Sequence, residues 1–365
     1  MNTFKTLFKQ VRIAKLCNLQ TSIKAAETVY LQARCSSDIS SSVMSKAKIF
    51  VTRPDVPEGG INLLKERYDV TAWTEERPIP RDVLLRQIKG KNALFCMLTD
   101  KIDKEVLDTA GKDLRVIATM SVGYDHIDVK ETKSRGIRIG FTPEVLTDAV
   151  AELTIGLILA TARRMFEAHD QIVEGKWSAW APTWMCGVEL KRSTVGIVGF
   201  GRIGQAVAQR LQGFGVERIL YTSRSEKREA KGLGATLSSL ENLVEVSDFI
   251  IVTCALMPET TGLFSDALFD KMKPTAIFIN TSRGAVVDQL ALQRALEKGK
   301  ILAAGIDVMT PEPIPPTHPL LKLKNCVSLP HIGSATTWAR SQMSVMTARN
   351  IIAALDSQVM PAEVM

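Results

Sequence analysis

The chain has 365 residues, 45% of them hydrophobic, enough to bury two cores of ordinary size rather than one. Its formal charge is +7, but residues 1–45 hold six basic residues (Lys5, Lys9, Arg12, Lys15, Lys24, Arg34) against two acids (Glu27, Asp38), so the body that follows is close to neutral. A near-neutral body with 6% aromatic residues argues against a nucleic-acid surface, and the longest strongly apolar stretch, Leu153 to Ala162, falls far below the roughly 18 residues of a membrane span.

Residues 1–45 are poor in acids and rich in Ser, with Lys and Arg interspersed, which is the composition of a mitochondrial transit peptide. An untargeted extension, or a start displaced upstream of Met44, reads equally well. The body is expected in the cytosol, or in the mitochondrial matrix if this segment is a targeting signal. The six cysteines (Cys17, Cys35, Cys96, Cys186, Cys254, Cys326) contain no CxxC pair, so neither a metal site nor a disulfide framework is expected.

From Ala47 short β-rich runs alternate with helical stretches: KIFVTRP, a helix near Ile61 to Arg67, YDVTAW, a helix near Asp82 to Ile88, NALFCML, LRVIATMS and IRIGF. This alternation implies parallel βαβ units and a doubly wound α/β sheet. A long helical pattern follows, opened by Thr147 and Asp148 as candidate caps and running to Gly175. A second series starts at TVGIVGF and continues through RILYTS, FIIVTCA, AIFINTS, LAAGIDV and CVSLP, six strands that suit a complete dinucleotide-binding domain. A last helix is expected from about Thr336 to Leu355; too short to be a domain, it must pack on an existing one.

Gly199, Gly201 and Gly204 form GxGxxG between an apolar strand and a helix opened by Arg202 and Ile203, the context that gives the motif meaning. The first glycine permits the turn, the second lets backbone approach a pyrophosphate, and the third lets helix and strand pack closely. Where NAD-selective folds carry an acid for the ribose 2′-OH, this chain has YTSRSEK, with Ser223 and Arg224. A guanidinium there suits a 2′-phosphate, so NADP is expected as cofactor and NAD(H) as the weaker alternative; Glu226 lies close by.

Strand carboxyl ends in an open sheet deliver side chains to the ligand crevice. That rule nominates Arg283 in INTSRG, Asp307 and Glu312 after LAAGIDV, and His331 after VSLP. Of the other histidines, His169 lies in a helical run, His318 in a Pro-rich loop, and His126 in SVGYDHID is a weaker candidate. Three suitable residue types after three strand ends point to polar reduction chemistry: a cation for a carboxylate and carbonyl, and an acid for the forming alkoxide.

The set GFGRIG, NTSRG, GIDVMTPEP and LPHIGSAT resembles the D-isomer-specific 2-hydroxyacid dehydrogenase family over about Lys48 to Leu355, and within it the branch that reduces glyoxylate and hydroxypyruvate. The resemblance implies two doubly wound parallel-sheet domains, a Rossmann-type cofactor domain inserted into a flavodoxin-like substrate domain. The implied boundaries are 46–146 for the first part of the substrate domain, 147–330 for the cofactor domain and 331–365 for the returning helix. It further implies Arg283 on the substrate carboxylate and carbonyl, His331 as proton donor, Glu312 tuning His331, backbone N–H groups of Val122 and Gly123 on the carboxylate, and Asp307 and Gly333 bordering the cofactor. A homodimer acting on small 2-keto acids is implied too. Trp177, Trp180 and Trp184 fall at helical spacing and read by default as core; the resemblance suggests instead a dimer arm with Trp180 reaching the partner's pocket. Two other readings share this fold: an NAD enzyme resembling phosphoglycerate dehydrogenase, and a dinucleotide-binding corepressor without turnover.

Overall fold

The computed structural model describes residues 46–365; the transit-like segment 1–45, with Cys17 and Cys35, lies outside the described residues. The first five β-rich runs form one parallel sheet: β1 Lys48–Val51, β2 Asp69–Ala72, β3 Ala93–Cys96, β4 Val116–Thr119 and β5 Arg138–Gly140. Their order, β2-β1-β3-β4-β5, is the flavodoxin-like one. Strands β3 and β4 are buried throughout, which is why they read as continuous apolar runs and not as alternating ones. The helices Glu58–Lys65 and Arg81–Gln87 begin directly after Pro57 and Pro80, the first of them earlier than the apolar pattern alone indicated. A proline fixes φ just ahead of a helix and needs no N–H there.

The second sheet is also parallel: β6 Thr194–Val198, β7 Arg218–Thr222, β8 Ala235–Leu237, β9 Phe249–Val252, β10 Ile277–Asn280, β11 Ala303–Ile306 and β12 Cys326–Ser328. Its order, β12-β11-β10-β9-β6-β7-β8, is the Rossmann order with one strand added beyond the sixth. The expected count of six strands is thus corrected to seven. The strand beyond the Rossmann six is β12, and the one that the apolar pattern misses is β8, a three-residue edge strand whose partly and fully exposed side chains leave no apolar signature.

The long helical pattern after residue 146 is two helices, not one: Thr147–Ala162 and Met165–Val173, parted at Arg164, whose φ of 53° is left-handed. The first buries eight residues, while the second buries none. Once the chain leaves the sheet surface, nothing holds one helix axis. Thr147 and Asp148 are not caps either. They lie inside the first turn, the capping position is Leu146, and Asp148 instead accepts from Arg210 at 2.8 Å. Val188 returns to donate to the carbonyl of Ala162 at 3.0 Å, so residues 163–187 form an arm that leaves and rejoins the body at one point.

The last helix, Thr337–Leu355, is capped by Thr336, which accepts from the Ala339 N–H at 3.1 Å. It packs on the first sheet, not the second: Met343, Ala348 and Ile351 share a core with Ile49, Phe95, Val116 and Ala118. Asn350 is fully buried and locks this return by donating to the Phe141 carbonyl and accepting from the Ala362 N–H, both at 2.9 Å. Among the described residues no helix is long and apolar enough to cross a membrane.

If the last helix is an integral layer of the first sheet, Ile351→Ala, at a position with no exposed surface, should cost about 2–5 kcal/mol of stability. Chemical denaturation monitored by circular dichroism measures it. A loss under about 0.5 kcal/mol, the scale of a surface substitution, would show that the helix is only docked on the surface.

Candidate active site

Strand β6 ends in the glycine turn, and each glycine has a separate physical reason. Gly199 has φ 95°, and a Cβ there would lie 2.5 Å from the backbone of Cys254. A Cβ on Gly204 would strike the Gly199 carbonyl, so helix Arg202–Leu211 packs on its strand only without one. A Cβ on Gly201, by contrast, meets no atom within 4 Å. That glycine is not required by the protein's own packing, and the room beside it, with the uncapped first turn of the helix, fits a pyrophosphate. Arg202 pairs with Glu144 at 2.9 Å, tying this helix to the segment that leads into Thr147–Ala162.

At the end of β7, next to β6, Ser223 donates to the Ser225 carbonyl at 2.5 Å and so shapes the turn that carries Arg224. Arg224 is exposed and makes no hydrogen bond or ion pair among the described residues. A free guanidinium at this strand end, with no carboxylate ahead of it, fits a ribose 2′-phosphate.

The catalytic candidates come from three neighbouring strand ends. After β10, the buried side chain of Asn280 accepts from the N–H and hydroxyl of Ser282 and donates to the Arg283 carbonyl, all at 3.0 Å, which fixes the turn that aims Arg283. The guanidinium crosses to the loop after β4. There Nε donates to Asp125 Oδ1 at 3.0 Å, and Nη2 lies where a side chain on Gly123 would otherwise sit. Arg283, Val122 and Gly123 are therefore brought together, and Asp125 is added to them. Asp125 is two residues from the expected carboxylate loop, but its sequence neighbourhood did not say which cation it meets.

After β11, Asp307 is buried and spends both carboxylate oxygens on the backbone N–H groups of Ile332 and Gly333, at 2.8 Å each. Its carbonyl accepts from the His331 N–H, also at 2.8 Å. These three bonds hold the loop in which His331 adopts φ 55°. His331 Nδ1 then lies 2.7 Å from Glu312 Oε2, while Glu312 Oε1 accepts from the Met309 N–H at 2.9 Å. Burial alone would push the Glu312 carboxyl up. The hydrogen bond and charge of His331 outweigh it and hold the group below the usual glutamate range. Asp307 goes the other way, pushed up by burial against the pull of its two N–H donors.

The remaining histidines stand elsewhere. His169 is exposed on helix Met165–Val173, and His318 caps a turn by accepting from the Leu320 N–H at 3.2 Å. His126 lies behind the Val122–Gly123 loop, with Nε2 3.0 Å from Thr119 Oγ1, and burial pushes its imidazole down to about 4. Trp177, Trp180 and Trp184 are neither helical nor buried, which corrects the core reading: they lie on the 163–187 arm, Trp180 with 81% of its surface exposed. Among the described residues no cluster of three or more His, Cys, Asp or Glu side chains could hold a metal ion.

Comparison with known proteins bears on the family and the fold. Residues 155–333 match the D-isomer specific 2-hydroxyacid dehydrogenase, NAD binding domain family. The glyoxylate reductase/hydroxypyruvate reductase of Mus musculus is 53% identical over 318 residues, 87% of this chain and 97% of the relative. The glyoxylate reductase of Thermococcus kodakarensis is 49% identical, over 87% of this chain and 95% of the relative. Among solved structures, the NADPH-dependent glyoxylate/hydroxypyruvate reductase of Sinorhizobium meliloti, in complex with NADP and malonate, superposes with a TM-score of 0.77 at 30% identity, covering 88% of this chain and 97% of that one.

The two kinds of glycine in the turn give a direct test. Gly201→Ala should change fold stability by about 1 kcal/mol or less and weaken dinucleotide binding by roughly tenfold or more, because the new methyl takes the cofactor's room. Gly204→Val should lower stability by about 1–3 kcal/mol through overpacking. Thermal melts beside fluorescence titrations with NADPH separate them; a Gly201→Ala protein that binds normally would refute the pyrophosphate assignment.

Proposed function

This chain belongs to the D-isomer-specific 2-hydroxyacid dehydrogenase family and is an NAD(P)-dependent dehydrogenase; from that premise we propose that it reduces glyoxylate to glycolate and hydroxypyruvate to D-glycerate with NADPH. The observation that carries the reading is the 2.7 Å contact of His331 with Glu312, reached electrostatically by the guanidinium that lies against Gly123. The names of the relatives support the substrate pair.

Each residue then has one task. Arg283 binds the substrate carboxylate and polarises the keto oxygen, and the N–H groups of Val122 and Gly123 complete the carboxylate site. With Nδ1 engaged by Glu312, His331 presents Nε2–H as the donor for the forming alkoxide. When bound, the reduced nicotinamide dinucleotide supplies the hydride. Its holding residues are Gly199, Gly201, Arg202, Ile203 and Gly204 at the pyrophosphate and Ser223 with Arg224 at the 2′-phosphate. Gly333 borders it, and Asp307 supports that border from below. The enzyme acts as a homodimer through the 163–187 arm, whose exposed Phe166, Ile172, Trp177 and Trp180 call for a protein cover, and Trp180 extends toward the partner's substrate pocket.

A substrate panel assayed with NADPH and NADH side by side tests the reading: glyoxylate and hydroxypyruvate should be turned over best, and with NADPH. Arg224→Ala should weaken NADPH use roughly tenfold to a hundredfold and leave NADH use nearly unchanged, the scale of a lost charge-assisted phosphate contact. Equal losses with both cofactors would remove Arg224 from the 2′-phosphate.

The His331–Glu312 pair predicts a pH response. The hydrogen bond and charge of His331 hold the Glu312 carboxyl below the usual glutamate range, so the carboxylate is ionised beside the imidazole. Reduction draws its proton from the imidazole, and the neighbouring carboxylate charge favours the proton-bearing form. Glu312→Gln keeps an acceptor but deletes the charge, so the alkaline limb of reductive kcat/KM should move to lower pH, while hydroxy-acid oxidation, which needs neutral His331, extends to lower pH. His331→Ala should lower turnover roughly a hundredfold to ten-thousandfold. Profiles of kcat/KM against pH in both directions check this; an unmoved limb in Glu312→Gln ends the tuning role.

A further inference from the structure

Behind the carboxylate loop runs a chain of four hydrogen-bonding groups, and its polarity is fixed. Ser121 Oγ lies 2.6 Å from the Gly123 carbonyl, which can only accept, so the serine proton is committed there. Ser121 Oγ is also 2.8 Å from Thr119 Oγ1, and with its own proton used it must accept from the threonine. Thr119 Oγ1 is 3.0 Å from His126 Nε2 and, having given its proton to Ser121, must accept from the imidazole. One order satisfies all three contacts: His126 Nε2–H to Thr119, Thr119 to Ser121, Ser121 to the carbonyl of Gly123. The other ring nitrogen, Nδ1, is buried with no partner, so a proton there would be an unpaired charge next to Arg283.

We propose that His126 is a positioning residue for keto-acid binding: as the neutral Nε2–H tautomer it starts a one-way relay that pins the Gly123 carbonyl and so holds in place the short loop whose Val122 and Gly123 N–H groups receive the carboxylate. The backbone of His126 is anchored separately, its carbonyl accepting from the Ile102 N–H at 2.9 Å. The ring is therefore a fixed point, and the loop is what it steers. The same loop bears Asp125, which orients Arg283, so both halves of the carboxylate site rest on one short segment. Burial, opposed by Asp125 and aided by Arg283, keeps the imidazole uncharged at neutral pH, in agreement with the proton order.

The kinetic arm rests on the keto-acid reading of the site; the spectroscopic arm does not. In the wild-type full chain with NADPH bound, long-range proton–nitrogen correlation at pH 7, assigned by the signal lost in His126→Gln, should show His126 as the neutral Nε2–H tautomer. The Nδ1–H tautomer or an imidazolium would overturn the relay whatever the substrate. Kinetically, His126→Phe and Ser121→Ala should each raise KM for glyoxylate about tenfold or more, with kcat within about threefold and NADPH affinity within about twofold. His126→Gln, whose amide N–H can replace the ring donor, should recover most of the KM. Ser121→Ala is small enough to fold; an unchanged KM in that variant, or a His126→Gln protein no better than His126→Phe, would overturn the positioning role. Wild-type protein that turns over no keto acid would sink the functional reading alone and leave the tautomer result standing.

Discussion

A parallel sheet delivers every strand's carboxyl end to one edge, and in this chain two such edges meet. The contact is concrete: Arg283, after β10 of the second sheet, donates to Asp125, after β4 of the first. Everything chemical follows from that meeting. The Val122–Asp125 loop belongs to one sheet and Arg283, Glu312 and His331 to the other, so neither sheet carries all of the candidate residues. The architecture also explains why the last helix must return to the first sheet. It leaves from the His331 loop of one sheet and is buried on the other, with Asn350 locking the arrival, so the His331 loop is held from both sides.

Much of this was legible because buried parallel strands announce themselves as unbroken apolar runs, and because the residue that follows each run is placed by topology alone. Arg283, Glu312 and His331 were nominated that way, and the structure puts each after the strand end expected. The glycine turn was legible for the same reason, flanked as it is by an unmistakable strand and helix. The features that escaped were those without apolar periodicity. The edge strand β8 is exposed, and the break at Arg164 follows from leaving a surface, which no local pattern encodes. The tryptophans keep helical spacing by coincidence; residues 174–187, where they lie, carry no helix.

Contacts between distant segments were the other blind spot. Asp125 and His126 sit side by side, yet one faces the guanidinium and the other the interior, a division set by the bonds at Ile102 and Thr119 and by nothing in the local spacing. A histidine in such a loop invites a catalytic reading. Its Nδ1 is instead buried without a partner and its Nε2 is engaged by Thr119, which is a poor starting point for delivering a proton to a substrate.

The two carboxylates after β11 show how one loop obtains opposite functions from one chemical group. Asp307 is nearly without solvent and bonds both oxygens to neutral backbone donors, so burial dominates and its charge is costly. That cost is tolerated because both oxygens are saturated by N–H groups, and the return is positional: the backbone at Ile332 and Gly333 cannot drift, nor can His331 leave its left-handed conformation without breaking those bonds. Glu312 faces an ionisable partner, so its charge is favoured and varies in value with the partner's protonation. A group hydrogen-bonded to an ionisable neighbour can tune that neighbour's proton; a group whose oxygens are saturated by fixed dipoles chiefly holds a shape. The division of labour between Asp307 and Glu312 therefore follows from what each faces, five residues apart on the same turn.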